Sequence, residues 1–224
     1  DADFRGISNL ETLTLGTGTN NVVLGAIAQT AGIVTVNGNT GADTITAASA
    51  VTLTFSAGND VIDLGAGADT INITETLLLA HSGTTATLDG GAGADTLSNE
   101  AATVNVEDAD FRGMSNIETF LFGTGTNTAT FGSTSAALFT TSITGVGGTE
   151  TLTLSASQPV ISLGAGADQI TTTEALMIAH SGTTHTIDFG ADTDILVFEA
   201  ATINVEDADF RGISNLETLT LGTG

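Results

Sequence analysis

The stretch TLDGGAGADTLSN, residues 87–99, carries the pattern that decides the fold. Thr87, Leu88 and Asp89 alternate polar and apolar, as do Thr96, Leu97 and Ser98, which is the two-residue period of a half-buried strand. Between them Gly90, Gly91 and Gly93 supply a turn that tolerates positive φ angles. The unit is therefore a strand, a glycine turn closed by Asp95, and a second strand. The same rhythm runs through LETLTLG, NVVLG, IVTVNG, DTITA, VTLTF, DVIDL, DTINI and TVNVE, with Gly, Asn or Asp between them.

Larger repeats frame this short one. DADFRG occurs at residues 1, 108 and 207, and residues 1–18 recur unchanged at 207–224. ETLLLAHSGTTATLD at 75–89 answers EALMIAHSGTTHTID at 174–188. The middle copy carries Met114, Ile117 and Phe120 where both ends have Ile, Leu and Leu, so the full period is 206 residues, the distance from 1 to 207. This organisation predicts a first repeat unit at 1–107, a second at 108–206, and the start of a further period at 207–224. The chain begins in mid-pattern without a signal peptide and reads as a fragment of a longer array.

Strands of four to six residues with tight turns and almost no helical periodicity predict an all-β parallel β-solenoid, β-roll-like, built of tandem internal repeats. A Greek-key sandwich is the competing architecture for short strands at this spacing. TETLLLAHSG and TEALMIAHSG could each hold a short helix, but are expected to be irregular. Coils of about 18 to 20 residues rising about 4.8 Å each would extend one period by on the order of 50 Å. The second unit is eight residues shorter than the first, and the sequence does not reveal how a two-strand coil absorbs that.

Composition fits a thin, repetitive core. Of 224 residues 41% are hydrophobic, yet aromatics make up 4%, all ten of them Phe, so small and β-branched side chains are expected to fill the interior. Twenty-six acidic residues face three Arg and no Lys, a net charge of −23 that repels nucleic acid and anionic lipid. Divalent cations would relieve the self-repulsion; simple acidic solubility is the plainer alternative. Cysteine is absent, which excludes disulfides and thiolate metal sites. No apolar run approaches the roughly 20 residues of a spanning helix.

Gly90 through Ser98 match the nonapeptide G-G-x-G-x-D-x-U-x, in which U is a large apolar residue. Here the chain resembles the RTX, or haemolysin-type calcium-binding, repeats. Partial versions surround Asp43, Asp60, Asp69 with Gly65 and Gly67, and Asp168 with Gly164 and Gly166. The resemblance implies Ca2+ held between successive turns by Asp43, Asp60, Gly65, Gly67, Asp69, Gly91, Gly93, Asp95, Gly164, Gly166 and Asp168. Calcium takes six to eight oxygens, which glycine turns supply as carbonyls and the aspartates as carboxylates. Asx turns that merely close solenoid corners are the alternative reading of the same residues. GVGGTETLT, with Glu150 in place of Asp, and SASQPVISL, with Gln158 and Pro159, are expected to lack the ion.

ISNLETLTLGTGTN and MSNIETFLFGTGTN resemble the strand repeats of large bacterial surface proteins, including RTX adhesins and some S-layer proteins. That resemblance implies secretion to the extracellular face of a bacterial cell. Arg5, Arg112 and Arg211, each in DADFRG, are expected to form buried or semi-buried pairs with Asp3, Asp110 and Asp209, with the preceding Phe plugging the local core. Three Arg in repeat positions, no HExxH and no GxSxG argue against an enzyme, including a β-helical polysaccharide-modifying one. Alternate Thr in VTLTF, TLTLG and TLTLS should face outward and leave ice or surface binding as a second reading. The expected function is a calcium-stiffened structural segment of a surface layer, filament or adhesin stalk, with copies of itself as partners.

Overall fold

A computed structural model of the chain describes residues 2–33, 35–37, 44–47, 61–64, 66, 68–73, 75, 87–99, 103–180, 185–199 and 204–222. The strands run in parallel sheets with few helices, and the chain divides into two compact units. The first unit comprises residues 1–100 and 109–118, the second 101–108 and 119–224.

In chain order the first unit contributes β1 (Thr12–Thr14), β2 (Asn21–Leu24), β3 (Thr35–Asn37), β4 (Thr44–Ala47), β5 (Val61–Asp63), β6 (Thr70–Ile73), β7 (Thr87–Asp89) and β8 (Thr96–Asn99). β9 (Thr103–Val106) belongs to the second unit, and β10 (Met114–Ser115) again to the first. Consecutive strands alternate between two sheets, one ordered β1-β3-β5-β7-β10 and the other β2-β4-β6-β8. Every pair is parallel and in register. Thr12 faces Thr35, Thr35 faces Val61, and Val61 faces Thr87. The alternation read from the sequence sets the inside: Ile45, Ile62, Ile71, Leu88 and Leu97 are buried, and each stacks on the equivalent residue of a neighbouring coil.

The second unit adds β11 (Thr119–Leu121), β12 (Thr126–Phe131), β13 (Ser142–Thr144), β14 (Thr149–Leu154), β15 (Val160–Ser162), β16 (Gln169–Thr172), β17 (Thr186–Asp188), β18 (Ile195–Phe198), β19 (Ile213–Ser214) and β20 (Thr218–Leu221). β9-β12-β14-β16-β18-β20 form one parallel sheet, and β11, β13, β15, β17 and β19 pair in succession in the other.

The advance from one coil to the next is 23 or 26 residues in most pairs, as from Thr126 to Thr149 and from Gln169 to Ile195. Among the described pairs it falls to 18 between Thr151 and Gln169 and between Ser142 and Val160, so the expected coil of 18 to 20 residues is corrected. Longer coils arise because one of their two connections is long, and among the described residues it holds a helix at Ala26–Ala31, Ser133–Leu138 and Glu174–His180. The last overturns the irregular structure expected for TEALMIAHSG; its partner TETLLLAHSG lies almost entirely outside the described residues. Glu174 in the first turn complements the helix dipole, and Met177 is fully buried beneath it.

The eight-residue difference between the repeats has a simple location. It lies between β4, which ends at Ala47, and β5, which starts at Val61, and correspondingly between β14, which ends at Leu154, and β15, which starts at Val160. Every later strand keeps its sheet.

The core of the second unit departs from the small-residue interior expected. Phe120, Phe122, Phe131 and Phe139 are fully buried and meet edge-on or tilted, with centroids 4.9 Å apart for Phe120–Phe122 and 5.3 Å for Phe120–Phe139. The helix Ser133–Leu138 ends at Phe139, so this long connection delivers a ring into the space that a tight two-strand coil would not enclose. Asp108 holds the other end of that helix, accepting from the N–H groups of Gly132, Thr134 and Ser135 at 2.8 to 3.1 Å and from the Ser135 hydroxyl at 2.8 Å. These bonds, against the cost of burial, hold its carboxyl down at about 2.

Candidate metal centre in the stacked acidic turns

The short connections carry the glycine-acid pattern, and parallel register places the residues at their junctions with the following strands directly above one another. In the second unit the column runs Asn127, Glu150, Asp168, Asp194 and Glu217. Asn127 Nδ2 donates to Glu150 Oε1 at 2.8 Å, and the Glu150 N–H donates to Asp168 Oδ1 at 2.7 Å. The Asp168 N–H donates to Asp194 Oδ1 at 2.7 Å, and the Asp194 N–H to Glu217 Oε2 at 2.9 Å. In the first unit the Asp69 N–H donates to Asp95 Oδ1 at 2.7 Å, and the Asp95 N–H to Glu118 Oε2 at 2.8 Å. From Asp95 and Asp168 onward, each acid thus accepts the main-chain N–H of its counterpart one coil earlier.

These carboxyls are inside the protein: Asp69, Asp95, Glu150, Asp168 and Asp194 are all buried. The second oxygens of Asp95, Glu150, Asp168 and Asp194 meet no hydrogen-bond partner, nor does Asn127 Oδ1. An ionised carboxylate left in that condition is strongly disfavoured. Burial, with the charge of Asp168 adding to it, pushes Glu150 up to about 7. Burial likewise raises Asp95 to about 6, reinforced by Asp69 and Glu118. Asp168 and Asp194 are raised for the same primary reason, Asp168 next by Asp194 and Asp194 next by Glu217.

The glycines matter for approach as much as for φ. Gly164 and Gly166 adopt φ of 90° and 141°, and Gly91 adopts 94°. A Cβ on Gly166 would collide with the Gly148 carbonyl of the preceding turn, and one on Gly190 with that of Gly164. The turns therefore stack main chain on main chain, with the Ala191 N–H donating to Gly164 O at 2.7 Å and the Gly148 N–H to Ala165 O at 2.8 Å. Gly93 is exposed on its turn.

Among the expected ligands, the structure brings Asp69 and Asp95 together and stands Asp168 in line with two further acids; Gly91, Gly93, Gly164 and Gly166 shape the turns beside them. Asp43, Asp60, Gly65 and Gly67 lie outside the described residues. Glu150, expected to mark a defective turn, is a full member of the column because its longer side chain still reaches Asn127. SASQPVISL is not a short acidic turn at all: Gln158 sits in the opposite connection, fully buried, with Nε2 donating to Gly132 O at 3.1 Å. Asp194, Glu118 and Glu217 were not read as site residues. Their signal is register, since Glu118 and Glu217 directly precede TFL and TLTL as Asp95 precedes TLS.

A second set of acids closes the turns from the strand side. Asp89 Oδ1 accepts from Gly91 N at 3.0 Å and Asn116 Nδ2 at 2.7 Å, and Asp188 repeats this with Gly190 and Asn215. Asn116 and Asn215 hold φ of 52° and 56°, a conformation that Asn tolerates better than most residues. The expected burial of the arginines is corrected: Arg5, Arg112 and Arg211 are exposed, while Asp110 and Asp209 are buried. The turn encloses the carboxylate rather than the cation, and Asp209 Oδ2 accepts the Glu206 N–H at 2.8 Å. Phe111 is buried as expected, whereas Phe4 and Phe210 are only partly so.

Among the described residues no three acidic or histidine side chains converge as a ready-made metal site. A cation in the column would take carboxylate oxygens in pairs and complete its shell from carbonyls and water, which suits an oxygen-seeking ion such as Ca2+. The orphaned oxygens of Asp95, Glu150, Asp168 and Asp194 fit that chemistry. No family model, curated protein or solved structure matches this chain.

Proposed function

We propose that this chain is a structural segment of a long extracellular tandem-repeat protein, a parallel β-solenoid of the RTX-like kind that calcium stiffens at its stacked turns. The observation that carries the reading is the set of buried acids in the stacked turns. Five acidic groups, Asp69 and Asp95 in one unit and Glu150, Asp168 and Asp194 in the other, are buried in a chain of net charge −23, four of them with an oxygen that no donor satisfies. Such stacks ask for protons or cations. Calcium is abundant outside cells, and ions that bind only the folded state add stability that grows with their concentration.

A surface layer, filament or adhesin stalk requires stiffness and repetition, which in-register coils supply without an active site. Secretion, the bacterial cell surface and copies of the chain as partners follow from this reading. An enzyme finds no support in the exposed arginines. Ice or surface binding draws on the threonine columns Thr126–Thr149 and Thr130–Thr153–Thr171, but Gln169 and Ile195 break the column between them.

The test is a calcium titration followed by circular dichroism and thermal midpoint, beside a sample in EGTA. A rise in midpoint that saturates with calcium, and is absent with magnesium at equal concentration, is the expected result. Equal stability in EGTA would remove calcium from the function and leave a metal-free solenoid.

A further inference from the structure

The turn GTGTN at residues 123–127 has the spacing of the acidic turns but a different last residue. Glycine stands four and two positions before Asn127, as Gly164 and Gly166 stand before Asp168 and Gly91 and Gly93 before Asp95. Asn and Asp share one shape, so the exchange puts an NH2 group where a carboxylate oxygen would be. GTGTN recurs at 16–20, and an acid follows each Asn at the same 23-residue interval, Asp43 after Asn20 and Glu150 after Asn127.

That NH2 group sits among oxygens. Asn127 Nδ2 donates to Gly123 O at 3.0 Å, to Gly125 O at 3.1 Å and to Glu150 Oε1 at 2.8 Å. An amide nitrogen carries two hydrogens, so three acceptors exceed what it can serve with separate bonds. Turned the other way, Oδ1 would press against the same three oxygens. Asn127 and Glu150 are fully buried, and Asn127 Oδ1 and Glu150 Oε2 meet no donor. One electropositive centre thus gathers two carbonyls and a carboxylate away from water, which is a cation's task. On its other side Asn127 stands opposite the buried Val104, where the column of polar groups stops. The twin turn repeats the device, with Asn20 Nδ2 donating to Gly16 O at 3.0 Å and Gly18 O at 2.7 Å.

We propose that Gly123 O, Gly125 O and Glu150 form a cation site that the chain fills with its own amide, Asn127 Nδ2, so that this turn excludes Ca2+ and Asn127→Asp admits it. The choice of calcium rests on the function proposed above; the site itself rests on the amide contacts. Exchanging Nδ2 for oxygen leaves two carbonyls and two carboxylates around one point, an oxygen set of the kind that Ca2+ takes, with water completing its shell. Without the ion, the new carboxylate would face Glu150 in a buried position with no donor between them, which disfavours the folded state.

Equilibrium dialysis against Ca2+, with bound metal measured by atomic absorption, counts the ions on the full chain, on Asn127→Asp and on its twin Asn20→Asp. Each variant should bind one equivalent more than the parent chain. In EGTA at pH 8 Asn127→Asp should melt below the parent, and saturating calcium should remove the deficit. Should Asn127→Asp fail to fold even in calcium, the count on Asn20→Asp decides alone. No additional ion on the folded variants overturns the proposal. If the variants gain an ion while the parent binds none, the amide-filled site stands and the calcium reading of the acidic turns falls. If the parent binds calcium and the variants bind no more, the reverse holds.

Discussion

Glu150→Gln separates the two ways in which the acid column can be neutralised. In the folded chain without calcium, Glu150 keeps its proton up to about 7, while in the unfolded chain it ionises near its ordinary 4.5. The folded state then binds more protons across that window, so its stability is full below about pH 4.5 and is lost as pH rises towards 7. The gap between 4.5 and about 7, at about 1.4 kcal/mol for each pH unit, amounts to about 3 kcal/mol at pH 8. Gln keeps the acceptor that Asn127 uses and carries no charge to bury.

In EGTA the variant should match the parent chain near pH 5 and exceed it at pH 8 by up to about 3 kcal/mol, or on the order of 10 °C in midpoint for a chain of this size. In saturating calcium at pH 8 the order should reverse, because the variant has lost a ligand charge. Urea denaturation at pH 5, 6, 7 and 8, with and without calcium, measures all of this. A stability difference in EGTA that stays constant from pH 5 to pH 8 would refute the claim that Glu150 is buried at the expense of its charge.

Three other substitutions probe separate parts of the fold. Asp108→Ala should cost about 1 to 2 kcal/mol by uncapping the helix Ser133–Leu138, and the parent's advantage over it should fade as pH drops from about 4 towards 2; denaturant melts at pH 2 and pH 6 check both. Gly166→Ala should collapse the second unit's turn stack, because its Cβ meets the Gly148 carbonyl and main chain cannot step aside; a far-ultraviolet dichroism spectrum with undiminished β signal would contradict this. Phe131→Ala, which removes a ring touching Phe120, Phe122 and Phe139, should lower stability by about 3 to 5 kcal/mol in the same assay.

Much of the architecture is local and therefore legible in the chain. Two-residue alternation in TINI or TLSN sends Ile71, Ile73 and Leu97 inward whatever the neighbours are, because a strand's faces are fixed by its own pleat. Glycine at 91, 164 and 166 announces turns for an equally local reason, positive φ. The duplication of DADFRG, and with it a tandem organisation, is visible by eye.

Coil length and loop content escaped, because both depend on what a connection packs against. Residues 133–138 fold as a helix since Asp108, 24 residues before Gly132, caps them and since Phe139, just beyond, packs against the rings of Phe120 and Phe131. The eight-residue deletion was countable from the sequence, but only the pairings of Thr44 with Thr70 and of Thr151 with Gln169 show that the strands after it keep their sheets. The acid column shows the same division. Asp69, Asp95 and Asp168 stand out within their nine-residue motifs, whereas Glu150, Asp194 and Glu217 join them only through register, 18 to 26 residues away along the chain. Sequence alone determined that these turns would be acidic and glycine-rich; tertiary stacking decided that their carboxyls point inward, one above another, where burial rather than solvent sets their charge.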